Sequence, residues 1–101
     1  MIVYNITTKI HYPVAASWLQ WQQQEHIPEI MQLGLFTEYR LFQLLEQEDA
    51  EGKTYVVQFA AINIENYHRY LNEFSASLRQ KAFNKWGNQF ISFRSLLEVI
   101  H

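Results

Sequence analysis

Residues 2–10 alternate, with Ile2, Tyr4 and Ile6 on one side and Val3, Asn5 and Thr7 on the other, and three further strands are predicted at residues 35–45, 54–61 and 90–100. A period of two is typical of β-strands, because successive side chains point to opposite faces of a sheet. A polar loop that contains Gly52 separates the second stretch from the third, which favours a hairpin connection. The pattern therefore predicts four strands.

Two further stretches have a helical period. The first begins at Tyr12-Pro13, since a proline is tolerated in the first helical turn, and runs to about residue 26. Pro28 predicts a kink or a restart there. The second begins at Asn63, a good N-cap, and extends to about residue 87. Its apolar residues recur at steps of three and four, at Ile64, Tyr67, Leu71, Phe74 and Leu78.

The resulting order, βαββαβ, predicts one ferredoxin-like α+β domain over residues 1–101, with an antiparallel sheet and both helices on one face. Both strand–helix–strand crossovers should be right-handed. In this topology the strands commonly lie in the order 4-1-3-2.

Both faces of this sheet carry apolar side chains, although in this architecture one face is normally polar and exposed to solvent. The helix-free face is predicted to hold Val3, Phe42, Val56, Phe90 and Leu96. A second copy of the chain would cover that face, which predicts a homodimer of the dimeric α+β barrel type.

Polar residues are predicted on the same helix-free face, at the dimer seam: Asn5, Glu38, Arg40, Gln58, Ser92, Arg94 and Glu98. Such groups can line a cavity or form ion pairs between subunits. We expect Arg40 or Arg94 to pair with Glu38 or Glu98 across the seam. An anion site formed by the two arginines is the alternative.

Composition excludes several classes of function. The net charge is −2 with no basic run, so nucleic-acid binding has no electrostatic footprint. The chain has no cysteine, which excludes a disulfide framework, a thiolate zinc site and a cysteine nucleophile. No signal-peptide pattern and no apolar run long enough to cross a bilayer is found. A cytoplasmic location is the prediction, with no membrane or nucleic-acid partner.

The segment 18–29 is the best candidate site. Trp18 and Trp21 lie on one apolar arc of the helical wheel, and Gln22, Glu25 and His26 fall inside that arc or at its edge. An apolar arc that becomes polar indicates a partner, a pocket or water. The tryptophans, with Tyr4 of the first strand, could floor a ligand pocket, although core packing is the more common role of such residues.

His26 is the candidate catalytic residue, because its ordinary pKa suits acid–base chemistry. The favoured alternative is that it caps the broken helix end near Pro28. Glu25 and Glu29 could form a carboxylate pair, but one is better explained as solvated and the other as a cap.

Metal and cofactor sites have no support in the sequence. The four histidines, His11, His26, His68 and His101, match no ligand spacing. Neither a glycine-rich phosphate loop nor a serine-nucleophile motif is found. We therefore predict no metal and no cofactor.

Three segments, MIVYNIT, WLQWQQQEHIPEIMQLGLF and FRSLLEVI, resemble an uncharacterised bacterial family, a domain of unknown function among the dimeric α+β barrel proteins. The resemblance spans nearly the whole chain and implies the fold and a face-to-face dimer. It implies no activity. Wider relatives include cofactor-free monooxygenases, small isomerases, haem enzymes and stress-type proteins, which often hold a ligand between helices and sheet. Their catalytic and haem-ligand patterns are not found here.

Three functions follow as hypotheses. The preferred one is binding of a small apolar or aromatic molecule between helices and sheet. The second is a cofactor-free enzyme, monooxygenase-like or isomerase-like, that uses His26. The third is a structural or interaction dimer without a ligand. The first two require an open cavity larger than a few waters with His26 at its wall, whereas the third requires a filled core.

Overall fold

A computed structural model of the chain describes residues 1–46 and 51–101. Its strands are β1 (Ile2–His11), β2 (Glu38–Gln43), β3 (Gly52–Ala61) and β4 (Phe90–Glu98). Its α-helices are α1 (Tyr12–Trp21), α2 (Ile27–Met31), α3 (Ile64–Glu73) and α4 (Ser75–Trp86), and a π-helix over Gln22–His26 joins α1 to α2.

The four strands form one antiparallel sheet in the order β2-β3-β1-β4, with the helices packed on one face. The ferredoxin-like fold and the predicted strand order are therefore confirmed. The strand predicted to begin at residue 35 begins only at Glu38, and Leu35 and Phe36, which precede it, are buried in the core.

The sequence predicts a kink or a restart of the first helical region at Pro28, and a new α-helix, α2, does begin at Ile27 after the π-helix. The backbone stays helical from Tyr12 to Met31, and the N–H of Ile27 donates to the carbonyl of Gln22, five residues earlier. This bond defines a π-turn, a one-residue expansion of the α-helix. Pro28 lies in the first turn of α2, where the missing N–H of a proline is tolerated.

The second helical region starts where predicted, since the backbone N–H of Asn66 donates to Oδ1 of Asn63 over 2.9 Å. It is two helices, because Phe74 leaves the helical conformation with φ −127°. The Ser75 hydroxyl donates to the carbonyl of Leu71 over 2.8 Å, which stabilises this junction.

The pairing register corrects the predicted faces of β4. Tyr4 pairs with Leu96 and Ile10 with Phe90, and directly opposed residues in antiparallel strands share a face. Because Tyr4 and Ile10 are buried under the helices, Phe90, Ser92, Arg94, Leu96 and Glu98 also point to the helix side. Placing them on the helix-free face was wrong by one residue.

The helix-free face is nevertheless apolar. On β4 it carries Ile91, Phe93 and Leu97, which are 54%, 64% and 44% exposed. Val3, Phe42 and Val56 lie on this face as predicted. Apolar residues occur at both the odd and the even positions of β4, so the sequence did not show which set faces the helices. In the described ranges, none of the helices has the length and apolar character needed to cross a membrane.

Candidate functional site

A cavity of about 90 Å³ lies between the helices and the sheet, near the β4 edge. It holds about three water molecules at roughly 30 Å³ each, and is smaller than the ~150 Å³ that accepts a benzene ring. Its walls are mostly aliphatic and aromatic side chains, with a few polar groups. The lining residues used below are Tyr4, Trp18, Gln22, His26, Tyr70, Arg79 and Arg94.

The π-helix places His26 in this wall. In a regular α-helix Ile27 would lie about 180° from Trp18, and Ile30 about 120°. Yet all three side chains are almost completely buried. A π-turn absorbs one residue, which brings Ile27 to about 80°, Ile30 to about 20° and His26 to within about 20° of Trp18. Core packing of the two isoleucines thus turns the imidazole inward.

The imidazole of His26 stacks on the indole of Trp21, with 4.5 Å between ring centroids and 22° between ring planes. Its Nδ1 is buried and has no hydrogen-bond partner among the described residues. Burial lowers the pKa of His26 from 6.5 to about 4, Glu29 opposes this shift and Lys81 adds to it. At neutral pH the imidazole is therefore uncharged, with one donor and one acceptor nitrogen.

The favoured alternative for His26, a cap on a broken helix, is wrong, because the helix continues past it to Met31. The predicted carboxylate pair is also not assembled at the cavity. Glu29 accepts a hydrogen bond from Lys81 at 2.5 Å, in a half-exposed ion pair, and Glu25 is exposed to solvent.

The other predicted ligand-binding residues mostly gather around the cavity. Trp18 is buried, lines the cavity and stacks on Tyr55, with 5.4 Å between centroids, so it serves the core as well. Gln22 and Tyr4 are buried in the lining. Trp21 is not part of the cavity lining, but its indole stacks on the imidazole of His26. Trp21 also makes an edge contact with Trp86, with 5.9 Å between ring centroids.

Tyr70, Arg79 and Arg94 are among the lining residues that were not predicted at this site. Tyr70 lies three residues after Tyr67, a spacing that could have indicated it, and its ring is 5.7 Å from that of Tyr4. Burial raises the pKa of Tyr70 far above its usual value, Tyr4 adds to this shift, and Arg79 and Arg94 act against it. Arg79 sits next to the buried Leu78 on α4, and no pattern in the sequence marked it.

The predicted seam residues divide between the two faces. Arg40, Gln58 and Asn5 form one row across the helix-free face, and Gln58 Nε2 donates to Asn5 Oδ1 over 3.2 Å. Ser95 completes this row and Glu38 lies on the same face. Arg94, Glu98 and Ser92 point to the opposite face, so their assignment to that seam is corrected.

A metal centre finds no support in the part of the chain that the structure describes. No three His, Asp or Glu side chains are grouped there closely enough to hold an ion. The chemistry available at the cavity is thus that of a neutral imidazole, hydroxyl and amide groups and two guanidinium groups.

A family model described as a domain of unknown function (DUF4286) matches residues 1–100, which confirms the family resemblance. No functionally curated protein matches the sequence. In structure, the chain is similar to a dimeric ferredoxin-like protein from an uncultured marine organism, with a TM-score of 0.76, 9% identity and coverage of 99% of this chain and 95% of that one.

Two further solved structures are similar. SnoaB, a cofactor-independent oxygenase from Streptomyces nogalater, has a TM-score of 0.62 and 11% identity, with 99% of this chain and 94% of that chain covered. HapK from Hahella chejuensis has a TM-score of 0.73 and 12% identity, with 99% and 93% covered. At such identities the likenesses show the fold alone.

Proposed function

The chain belongs to the family of this domain of unknown function, and we propose that it is a homodimer that binds a small apolar molecule between its helices and its sheet. The observation that carries the proposal is His26, which lines the cavity and whose buried Nδ1 has no hydrogen-bond partner among the described residues. An unpaired buried polar atom destabilises a fold by about 1–3 kcal/mol, and a bound hydrogen-bonding group would offset that penalty.

The volume of the cavity limits the size of the ligand that it can hold. At about 90 Å³ it admits a short aliphatic group, whereas an aromatic ring requires the helices to move away from the sheet. With room for about three waters, it does not exceed the few waters that a binding or enzymatic cavity was expected to exceed, and it is not the filled core of a purely structural dimer either. We therefore favour a small aliphatic ligand over an aromatic one.

A cofactor-free enzyme is the second candidate, supported by the fold that the chain shares with a cofactor-independent oxygenase. The electrostatics argue for ranking it second. A general base works best with a pKa near the operating pH, and burial lowers the pKa of His26 to about 4. This imidazole is a weak base, better suited to hydrogen bonding than to proton abstraction at neutral pH.

The proposed homodimer rests on the exposed apolar face of the sheet and on the dimeric description of a structural neighbour. Within it, Arg40 and Glu38 are the remaining candidates for an ion pair between subunits, since both lie on the helix-free face. A cytoplasmic location, with no nucleic acid and no membrane as partner, completes the proposal.

The binding proposal is tested by titrating the protein with isobutyramide while recording its two-dimensional ¹H–¹⁵N NMR spectrum. We expect the indole signal of Trp18 and amides around the π-helix to shift. His26→Phe keeps an aromatic ring on Trp21 but removes both ring nitrogens, and should weaken binding. His68→Phe changes an exposed histidine and is the matched control. Equal titrations of wild type and His26→Phe would show that the proposal is wrong.

A further inference from the structure

Two arginine side chains flank the cavity from opposite layers of the fold. Arg79 comes from α4, next to the buried Leu78, and Arg94 comes from β4, opposite Ile6 of β1. Both residues are exposed, so the cavity wall reaches solvent at these two side chains. The solvent-facing part of the wall therefore carries two positive charges.

Neither charge is compensated in the described part of the chain. Arg79 and Arg94 make no ion pair and no hydrogen bond there, in contrast to Arg69, which pairs with Glu73 at 2.8 Å, and Lys81, which pairs with Glu29. The cavity lining contains no aspartate or glutamate. Two free guanidinium groups at the mouth of an apolar cavity produce a positive potential that attracts an anion.

The potential extends into the cavity. Both arginines act on the hydroxyl groups of Tyr67 and Tyr70, where they favour the charged form against the effect of burial. Because Tyr70 belongs to the lining, a negative charge near the mouth would experience the same attraction.

Taking the proposed function as its basis, we propose that the ligand is a short aliphatic monocarboxylate, with its hydrocarbon tail in the cavity and its carboxylate between Arg79 and Arg94. The cavity has room for about three non-hydrogen atoms, taking roughly 30 Å³ for each. A guanidinium group matches a carboxylate with two parallel hydrogen bonds. Inside, His26 and the hydroxyl pair of Thr8 and Ser92, 2.8 Å apart, are the polar groups against which a hydroxyl substituent would lie.

The test compares isobutyrate with isobutyramide, which has the same shape and no charge, by NMR titration at constant ionic strength. We expect isobutyrate to bind at least about tenfold more tightly, since a hydrogen bond to a charged group contributes about 1.5–3 kcal/mol. Arg79→Gln and Arg94→Gln should each reduce this preference by about tenfold. Arg69→Gln removes an equal charge from the exposed surface of α3, outside the cavity lining, and should leave it unchanged.

Several outcomes would overturn the inference. Equal affinities for acid and amide would reject the carboxylate site and leave the apolar pocket standing. Binding of neither compound, with no shift at Trp18 or His26, would reject the pocket itself. A loss in Arg69→Gln equal to that in Arg79→Gln would indicate only a general charge effect. Inorganic phosphate that produces the same shifts as isobutyrate would show that the aliphatic tail is not recognised.

Discussion

The imidazole of His26 and the indole of Trp21 lie nearly parallel, with 4.5 Å between their centroids, although five residues separate them along one continuous helix. The π-turn brings the two rings together, because residues at positions i and i+5 become neighbours when the helical turn is widened. The stack holds the imidazole inside the protein with one buried nitrogen unpaired. Stability and binding at this site therefore depend on the same ring.

The burial of His26 predicts a pH-dependent stability. Its pKa is about 4 in the folded chain and 6.5 when unfolded, so the unfolded chain binds more protons between these values. The free energy of unfolding should therefore fall as the pH drops from 6.5 to 4, by as much as about 3 kcal/mol from this group. Above pH 6.5 the contribution is constant. Urea titrations at several pH values measure it.

The matched variants isolate that contribution. His26→Phe should flatten the pH dependence over this window, because no group at position 26 then titrates. The exposed His68, replaced in the same way, should leave the wild-type dependence in place. If His26→Phe and wild type have parallel stability curves between pH 4 and 6.5, the imidazole is not buried in its neutral form.

Pro28 should be almost neutral for stability despite its position within a continuous helical region. A proline inside a regular helix destabilises it by about 3 kcal/mol, so its removal normally stabilises by that amount. Here the residue occupies the first turn of α2, after the π-turn. Pro28→Ala should change the free energy of unfolding by less than about 1 kcal/mol.

The control introduces a proline within the regular part of the helix. Gln20 is exposed and lies late in α1, so Gln20→Pro should destabilise the protein by about 3 kcal/mol. Thermal or urea unfolding measures both variants. A stabilisation of Pro28→Ala by 3 kcal/mol would contradict the π-turn.

The exposed apolar face predicts a dimer of twice 12.1 kDa by light scattering at micromolar concentration. Phe93, which is 64% exposed on the helix-free side of the edge strand β4, is the residue to change, because a charge buried in an apolar interface is unfavourable. Phe93→Asp should give a folded monomer.

Phe83 supplies the comparison for this prediction. It is 58% exposed but lies on α4, away from the helix-free face, so Phe83→Asp should remain dimeric. A wild-type protein that is monomeric at tens of micromolar would remove the case for the barrel-type dimer.

Gly52 should not tolerate a side chain. A Cβ at this position would lie 2.4 Å from the carbonyl oxygen of Ile10, a backbone atom that cannot move without disturbing β1. Gly52→Ala should destabilise the fold by about 1–3 kcal/mol, as overpacked sites do. Gly34→Ala meets no atom within 4 Å and strains only its positive φ, so the smaller loss is expected there. Comparison of the two melting temperatures tests this order.

The architecture was accessible from the sequence because local patterns determine it. Period-two alternation, the polar segment before β3 and the N-cap at Asn63 each act within a few residues, and together they predict the order of elements. The inward orientation of His26 near Trp18 also followed from helical spacing, although the reason proved to be the π-turn.

Two features required the tertiary structure, and each depends on a shift of one residue. On β4, apolar side chains occur at both phases, so only pairing with Tyr4 and Ile10 decides that Arg94 faces the cavity and Phe93 faces outward. In the first helix, Pro28 indicates an irregularity, but only the structure shows that it is a π-turn, with Ile27 and Ile30 buried beyond it. A one-residue shift changes little in local energy but exchanges the buried and exposed sets of side chains. Packing of the core therefore decides which set of side chains is buried, and the local sequence pattern does not.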